Sequence, residues 1–256
     1  VFTRVSYAIR AGSAGRPCED LAVAGPSWAV VIDGATAPPG PGGGCVHGVA
    51  WLAARLGGAL AAGLSARPET GLAELLSDAV TAVTAAHGGA CDLDDPDSPS
   101  ATVCVVRLSG DRLHYLVLGD SPVAFLRRDG TAEVVADDRL ERLPGGRPYP
   151  LELVRRLRNA PGGFWVAGNR PEAAGQALAG AVDARELAGV GLFTDGVARL
   201  ADWYGWSWES VLTRLAGEGP EALIAAVREL ERTRGPVWGK LHDDATALWC
   251  GLPDAP

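Results

Sequence analysis

Four acidic clusters in this chain stand beside residues too small to shield them: Glu19-Asp20, Asp33-Gly34, Asp195-Gly196 and Asp243-Asp244, with Gly119-Asp120-Ser121 between the second and third. Carboxylates next to Gly, Ser or another Asp offer oxygen ligands and leave room for water, which suits a hard divalent cation. Gly34 lets its backbone carbonyl approach the same ion as Asp33. Singly, each cluster is uninformative, because Asp-Gly after a strand is ordinarily a plain turn. Their chemistry depends on convergence in space.

The elements that must position them are legible in outline. Trp28–Gly34, WAVVIDG, is a short β-branched run that reads as a buried strand ending in Asp33. It follows an alternating strand in VFTRVSYAIR and a small-residue loop, giving a hairpin-like start. Ala35–Gly44, ATAPPGPGGG, is excluded from helix and central strand and reads as a loop shaping the rim of a site. Helices are expected over Val46–Gly63 and Glu69–His87. The acidic stretch Cys91–Pro99 lacks the central glycine and terminal glutamate of a twelve-residue calcium loop. Three strands in a meander should follow (ATVCVVRL, RLHYLVLGD, PVAFLRR), implying one long antiparallel sheet. Residues from about 137 to 188 read as an inserted flap. VGLFTD at Val190–Asp195 reads as a strand, Val197–Arg234 as helical with Pro220 opening its last segment, and DDATALWC at Asp243–Cys250 as the final strand. An antiparallel sandwich covered by helices is the simplest assembly.

Bulk properties narrow the function. The 256 residues are read as one domain, 1–256, with the flap inserted. A net charge of −8 argues against a nucleic-acid partner, because phosphate-backbone binding needs a positive field. No apolar run approaches the ~18 residues of a membrane span, and no export signal is evident, so a soluble cytoplasmic protein is expected. Cys18, Cys45, Cys91, Cys104 and Cys250 form no CxxC pair and no familiar Cys/His zinc spacing, which fits a reducing compartment.

The order CED (Cys18–Asp20), VVIDG (Val30–Gly34), SAT (Ser100–Thr102), LGDS (Leu118–Ser121), LFTDG (Leu192–Gly196) and DDAT (Asp243–Thr246) resembles the metal-dependent protein phosphatases of the PPM, or type 2C, family, in a divergent bacterial-type form. The resemblance spans nearly the whole chain. It implies an α+β fold, a four-layer α-β-β-α sandwich of two antiparallel sheets flanked by helices. It also implies two Mn or Mg ions, with a third possible. Asp33 would bridge them, the Gly34 carbonyl would bind one, Asp195 and Asp243 would hold the other, and Glu19 and Asp20 would act through bound waters. Asp120 would hold the third ion. Asp33, Asp195 and Asp243 are then the catalytic set, acting through a metal-activated water that attacks phosphorus in line.

The sequence departs from the family pattern around the substrate. The position of the family's phosphate-gripping arginine is Gly15, leaving Arg16, one residue later, as the candidate phosphate-binding residue. Ala35 stands where some relatives have a histidine, so His47 is a candidate general acid or, alternatively, a residue of the turn before a helix. His242 could support Asp243. Lys240, the sole lysine, reads mainly as an exposed loop residue, and the tryptophans of Ala201–Ser210 as packing for the helical layer. The expected activity is dephosphorylation of phosphoserine or phosphothreonine in proteins by a monomer. The alternatives are a phosphatase of a small phosphorylated metabolite and a weakly active regulatory member that binds a partner.

Overall fold

The computed structural model describes residues 1–35 and 44–253, so most of the expected loop Ala35–Gly44 lies outside the described residues. Two five-stranded sheets form its centre. Sheet 1 runs in the order β1 (Arg4–Arg10), β10 (Ala245–Gly251), β9 (Leu187–Phe193), β6 (Val123–Arg127), β7 (Ala132–Val135). Sheet 2 runs in the order β2 (Leu21–Ala24), β3 (Trp28–Ala35), β4 (Ser100–Ser109), β5 (Arg112–Leu118), β8 (Leu178–Asp183). Every neighbouring pair is antiparallel.

The period of two along a strand explains why the central strands are apolar without a break. In β3, Val30 and Ile32 face a helical layer, while Ala29 and Val31 face the other sheet. In β10, Ala245, Ala247 and Trp249 face helices, while Leu248 and Cys250 face inward. The inter-sheet core thus joins Val31, Cys104, Val106 and Val117 of sheet 2 to Phe125, Val190, Leu192 and Leu248 of sheet 1. Each such fully buried Leu or Val contributes about 1.5–3 kcal/mol.

Helices α1 (Val49–Ala66) and α2 (Leu72–Ala86) cover sheet 2 through Leu52, Leu56, Leu60, Leu75, Leu76 and Val80. By length and composition α1 could cross a membrane, although no apolar run of that length stands out in the sequence; here its buried stripe packs on β3 and α2. The outer layer of sheet 1 is α4 (Asp195–Asp202), α5 (Trp208–Glu218) and α6 (Pro220–Arg234), closed by Val197, Leu200, Leu212, Leu223 and Val227. The order of layers is α-β-β-α, as the family resemblance implies. The short helix α3 (Leu151–Leu157) belongs to a flap with its own small core of Leu143, Phe164 and Val166.

Several local expectations are corrected. The first strand pairs with β10, the last, and not with its sequence neighbour; the opening hairpin is β2–β3. The three-strand meander is split, because β5 stays in sheet 2 while β6 joins sheet 1. The crossover lies at Gly119, whose φ of +82° and whose approach to Thr102, 2.6 Å from a built Cβ, leave no room for a side chain. Residues 178–188, expected within the flap, contribute β8 and the start of β9. Asp195 does not end a strand: β9 stops at Phe193 and Asp195 opens α4.

Candidate metal centre

The same alternation that divides the core builds the site. Asp33, Thr102 and Thr246 lie on the inter-sheet parity of β3, β4 and β10, one step beyond the last apolar residues, so the inter-sheet face ends in polar groups at one margin of the sandwich. Asp20, which precedes β2, is buried there at 7% exposure. Its Oδ2 accepts from Thr194 Oγ1 at 2.9 Å and from Thr246 Oγ1 at 2.7 Å, and the Thr246 backbone N–H donates to Thr194 Oγ1 at 2.9 Å. Asp20 Oδ1 is buried with no hydrogen-bond partner. A buried carboxylate oxygen without a donor is costly unless a cation or a cation-bound water meets it.

Asp195 sits in the first turn of α4, where the helix dipole favours negative charge, and its own charge acts on Asp33. Gly34 is pressed against the chain before β2. Its N–H donates to the Glu19 carbonyl at 3.1 Å, and an added Cβ would lie 2.4 Å from Val49 Cγ1 and 2.7 Å from Glu19 O. The Asp243-Asp244 pair divides its labour. Asp244 accepts from the N–H groups of Gly12 at 2.7 Å and Glu19 at 2.6 Å, clamping both ends of the 12–19 loop. Asp243 faces the cluster and is held by Arg199 Nη2 at 3.0 Å and Lys240 Nζ at 2.9 Å.

Electrostatics mark these acids as a strained set. Burial, followed by the charges of Asp20 and Asp195, pushes Asp33 well above the ordinary carboxylate range. Burial and Asp243 raise Asp195. Burial and Asp195 lift Asp120 to about 7, and burial lifts Asp20 to about 7 although the two threonine hydroxyls oppose it. Clustered carboxylates of this kind are relieved by a proton or by a cation. The available donors are all oxygen: the carboxylates of Glu19, Asp20, Asp33, Asp120, Asp195 and Asp243 and the Gly34 carbonyl. With the orphaned Asp20 oxygen, they fit hard divalent ions such as Mg or Mn.

Asp33, Gly34, Asp120, Asp195 and Asp243 open onto one cleft of about 450 Å³. Its opposite wall is the flap and the loop before β4, carrying Arg147, Tyr149, Arg155, Arg158 and Phe164, with Trp238 and Lys240 beside them. Arg155 and Arg158 are committed to Asp97 and Ser98, whereas the Arg147 guanidinium lies over the Trp238 ring, 4.0 Å from its centroid. A second cavity of about 100 Å³ adjoins Asp120 and Asp195 and is walled by Trp203, Trp208 and Trp238. Trp203 and Trp208 therefore pack the helical layer as expected and also border the acids.

Four expected site residues are not among those lining the cleft: Glu19 and Asp20, which stand behind Gly34 and the two threonines, and Arg16 and His47. Arg16 is exposed at the tip of the loop whose ends Asp244 clamps, and Arg147 and Lys240 are the cations that line the cleft near the acids. His47 is not among the residues lining the cleft; its ring stacks on Trp51 at 4.2 Å and contacts Cys91 and Cys45. Lys240 is an exposed loop residue, as expected, and it also pairs with Asp243 at the cleft. His242 does support Asp243 at one remove, because its Nδ1 lies 2.6 Å from Glu231 Oε2, and Glu231 holds Arg199.

Sequence reasoning missed the Arg199–Glu231 pair, 2% and 0% exposed, which stands behind Asp243. Its signal was present: Glu231 falls on the stripe of Leu223, Ile224 and Val227 that turns α6 toward the core, and a glutamate there needs a buried partner. Thr194 and Thr246 stand inside the LFTDG and DDAT motifs, yet only their shared bond to Asp20 gives them a role.

Comparison with family models matches residues 10–230 to protein phosphatase 2C. Among solved structures, the catalytic domain of the serine/threonine phosphatase PstP in complex with two manganese ions is similar at a TM-score of 0.63 and 21% identity, covering 98% of each chain. The Ser-Thr phosphatase MsPP from Mycobacterium smegmatis, in complex with cacodylate, aligns at 0.61 and 19% identity, covering 98% of this chain and 99% of that one. PppA, a regulatory component of a secretion system in Pseudomonas aeruginosa, aligns at 0.62 and 20%, covering 98% and 97%. No curated protein matches. The family match over most of the sequence, on a fold with that architecture, is decisive: the chain belongs to the protein phosphatase 2C family of metal-dependent phosphatases.

Proposed function

We propose that this chain hydrolyses phosphoserine and phosphothreonine esters in proteins, with Mn or Mg at the acidic cluster. The observation that carries the reading is the convergence of Asp33, Asp120, Asp195 and Asp243 on one cleft whose wall supplies Arg147 and Lys240. Asp33, the Gly34 carbonyl, Asp195 and Asp243 are the residues that would hold two ions, with Glu19 and Asp20 reaching them through water and Asp120 on the side of a third. Bound divalent ions at such a site lower the pKa of a coordinated water and neutralise charge on the phosphoryl oxygens. Arg199 and Glu231 fix the orientation of Asp243. Lys240 and Arg147 attract and align the dianionic phosphate, and the aromatic side chains of the flap limit the water that reaches it. PstP and MsPP, which share this fold, are serine/threonine phosphatases, and PstP is in complex with manganese, which supports this choice of substrate and ion.

A second reading has its own observation. The cleft is roofed by Leu140, Tyr149, Leu151 and Phe164 of the flap, a largely apolar enclosure of a size suited to a small phosphorylated metabolite. The deciding experiment is hydrolysis of an aryl phosphate, a phosphothreonine peptide and a panel of phosphometabolites with Mn, with Mg and with chelator, in the native chain, Asp33→Asn and Asp195→Asn. Metal-dependent turnover of the peptide, lost in both variants, is expected. Turnover of a metabolite but not of peptides transfers the assignment to the second reading. Absence of turnover on every ester overturns both.

A further inference from the structure

Away from the acidic cluster, four side chains that the linear sequence keeps in two distant pairs meet at one point. Cys45 and His47 stand just before α1, and His87 and Cys91 stand at and just after the end of α2. Their ligand atoms all lie within 4.8 Å of one another. Cys45 Sγ is 3.5 Å from Cys91 Sγ, 3.6 Å from His87 Nδ1 and 3.8 Å from His47 Nδ1, and Cys91 Sγ is 3.3 Å from His47 Nδ1. In a tetrahedral zinc site with Zn–S near 2.3 Å and Zn–N near 2.0–2.1 Å, ligand atoms lie about 3.3–3.8 Å apart. The four measured separations match that spacing. They do not match a disulfide, whose sulfurs are about 2.05 Å apart.

The surrounding backbone is built for the cluster. The His47 N–H donates to Cys45 Sγ at 3.3 Å and the Val46 N–H to Cys91 Sγ at 3.4 Å, so backbone amides hold both sulfurs in place. Gly88 and Gly89, at φ +65° and +77°, reverse the chain so that Cys91 returns to His87 within four residues. Gly44 packs so closely on Asp92 that an added Cβ would lie 2.0 Å from its carbonyl oxygen, while the Asp92 N–H donates to the Gly44 carbonyl at 2.7 Å. Trp51 stacks on His47 and meets His87 edge-on at 4.6 Å, fixing both rings.

We infer that Cys45, His47, His87 and Cys91 form a structural Zn²⁺ site, separate from the carboxylate centre and unrelated to the hydrolytic step. Two soft thiolates and two imidazoles select zinc over the hard ions of the carboxylate cluster, and binding releases the two thiol protons. The ion closes the α1–α2 hairpin at its open end. From that clasp the chain runs directly to Asp97 and Ser98, which bind Arg155 and Arg158 at the wall of the cleft. The site thus braces the loop on which the flap rests.

The test uses the full chain purified under reducing conditions without added chelator. Metal analysis after dialysis against EDTA should find about one zinc per chain, and Cys45→Ser/Cys91→Ser should lose it. Because zinc also binds carboxylates, Co²⁺ replacement is measured in an Asp33→Asn/Asp195→Asn background. A thiolate-to-cobalt charge-transfer band with the strong visible bands of a tetrahedral site is expected there, and it should vanish when Cys45 and Cys91 are replaced. His87→Gln, which keeps both sulfurs, should weaken zinc retention by about 10-fold or more. Cobalt spectra without the charge-transfer band, zinc content unchanged by the cysteine replacements, or a Cys45–Cys91 disulfide in the reduced preparation would each overturn the assignment.

Discussion

Arg199 binds Asp243 with one guanidinium nitrogen, Nη2 at 3.0 Å, and the fully buried Glu231 with the other, Nη1 at 2.6 Å. The segment just before β10 is thereby tied to the core of the outer helical layer. Glu231 is shared further by Arg228 at 2.8 Å and by His242. Replacing Arg199 by Met takes from the buried glutamate the partner of its Oε1 while Arg228 and His242 keep Oε2, so a loss of about 1–3 kcal/mol in urea unfolding is expected. The double variant Arg199→Met/Glu231→Leu should recover much of it. Equal loss in both variants would mean that the pair is not the stabilising unit.

The carboxylate cluster sets a pH dependence whose sign is opposite to that of ordinary acid denaturation. Asp20 and Asp120 have folded values near 7, and Asp33 and Asp195 are also raised, so between about 4 and 7 the folded state holds protons that the unfolded chain has released. Their contribution is fully present below the unfolded value and is lost as pH rises through the folded one. In chelator, the melting temperature should therefore fall from about pH 5 to pH 7.5, and Mn should restore it by an increment that grows with pH, more than about 5 °C at the upper end. A metal increment independent of pH would refute the link.

Removing a charge from the same cluster should separate stability from activity. Asp33→Asn is expected to raise the melting temperature of the metal-free protein at neutral pH, because it removes a buried carboxylate that Asp20, Asp195 and Asp120 repel, while lowering metal-dependent turnover by more than about a hundredfold. Melting curves in chelator, paired with aryl phosphate kinetics, read both effects.

Gly34 tests the backbone approach. A methyl group there would overlap Val49 Cγ1 and the Glu19 carbonyl, and the carbonyl is main chain that cannot swing aside. Gly34→Ala should cost about 1–3 kcal/mol in unfolding free energy and raise the Mn concentration needed for half-maximal activity. The control is Gly15→Ala, a position with open space around it, which should change neither.

Arg147 tests the phosphate wall. Its guanidinium lines the cleft from the flap and lowers the Asp120 carboxyl across the gap. Arg147→Ala should raise KM for a phosphoester by about tenfold, whereas Arg16→Ala, at the exposed loop tip, should leave it unchanged. The reverse ranking would restore Arg16 as the phosphate contact.

Local chemistry wrote much of this molecule into its sequence. The unbroken apolar run of β3 required burial on both faces, and the short Asp-Gly, Asp-Ser and Asp-Asp motifs offered carboxylate oxygens whose convergence only the fold could supply. The stripe on α6 gave a helix opening at Pro220, as found. What the sequence left open was long-range. The pairing of β1 with β10 and the division of β5 and β6 between sheets depend on contacts far apart in the chain, to which a period of two is indifferent. Arg16 and Arg147 look alike as loop arginines, and only the clamp of Asp244 on one loop and the fold of the flap send one to solvent and the other to the cleft. Cys45-x-His47 and His87-x₃-Cys91 form no familiar zinc spacing because some 40 residues of helical hairpin separate them. Packing of α1 on α2 closes that distance, so tertiary structure alone brings the ligand atoms of these four residues within 4.8 Å of one another.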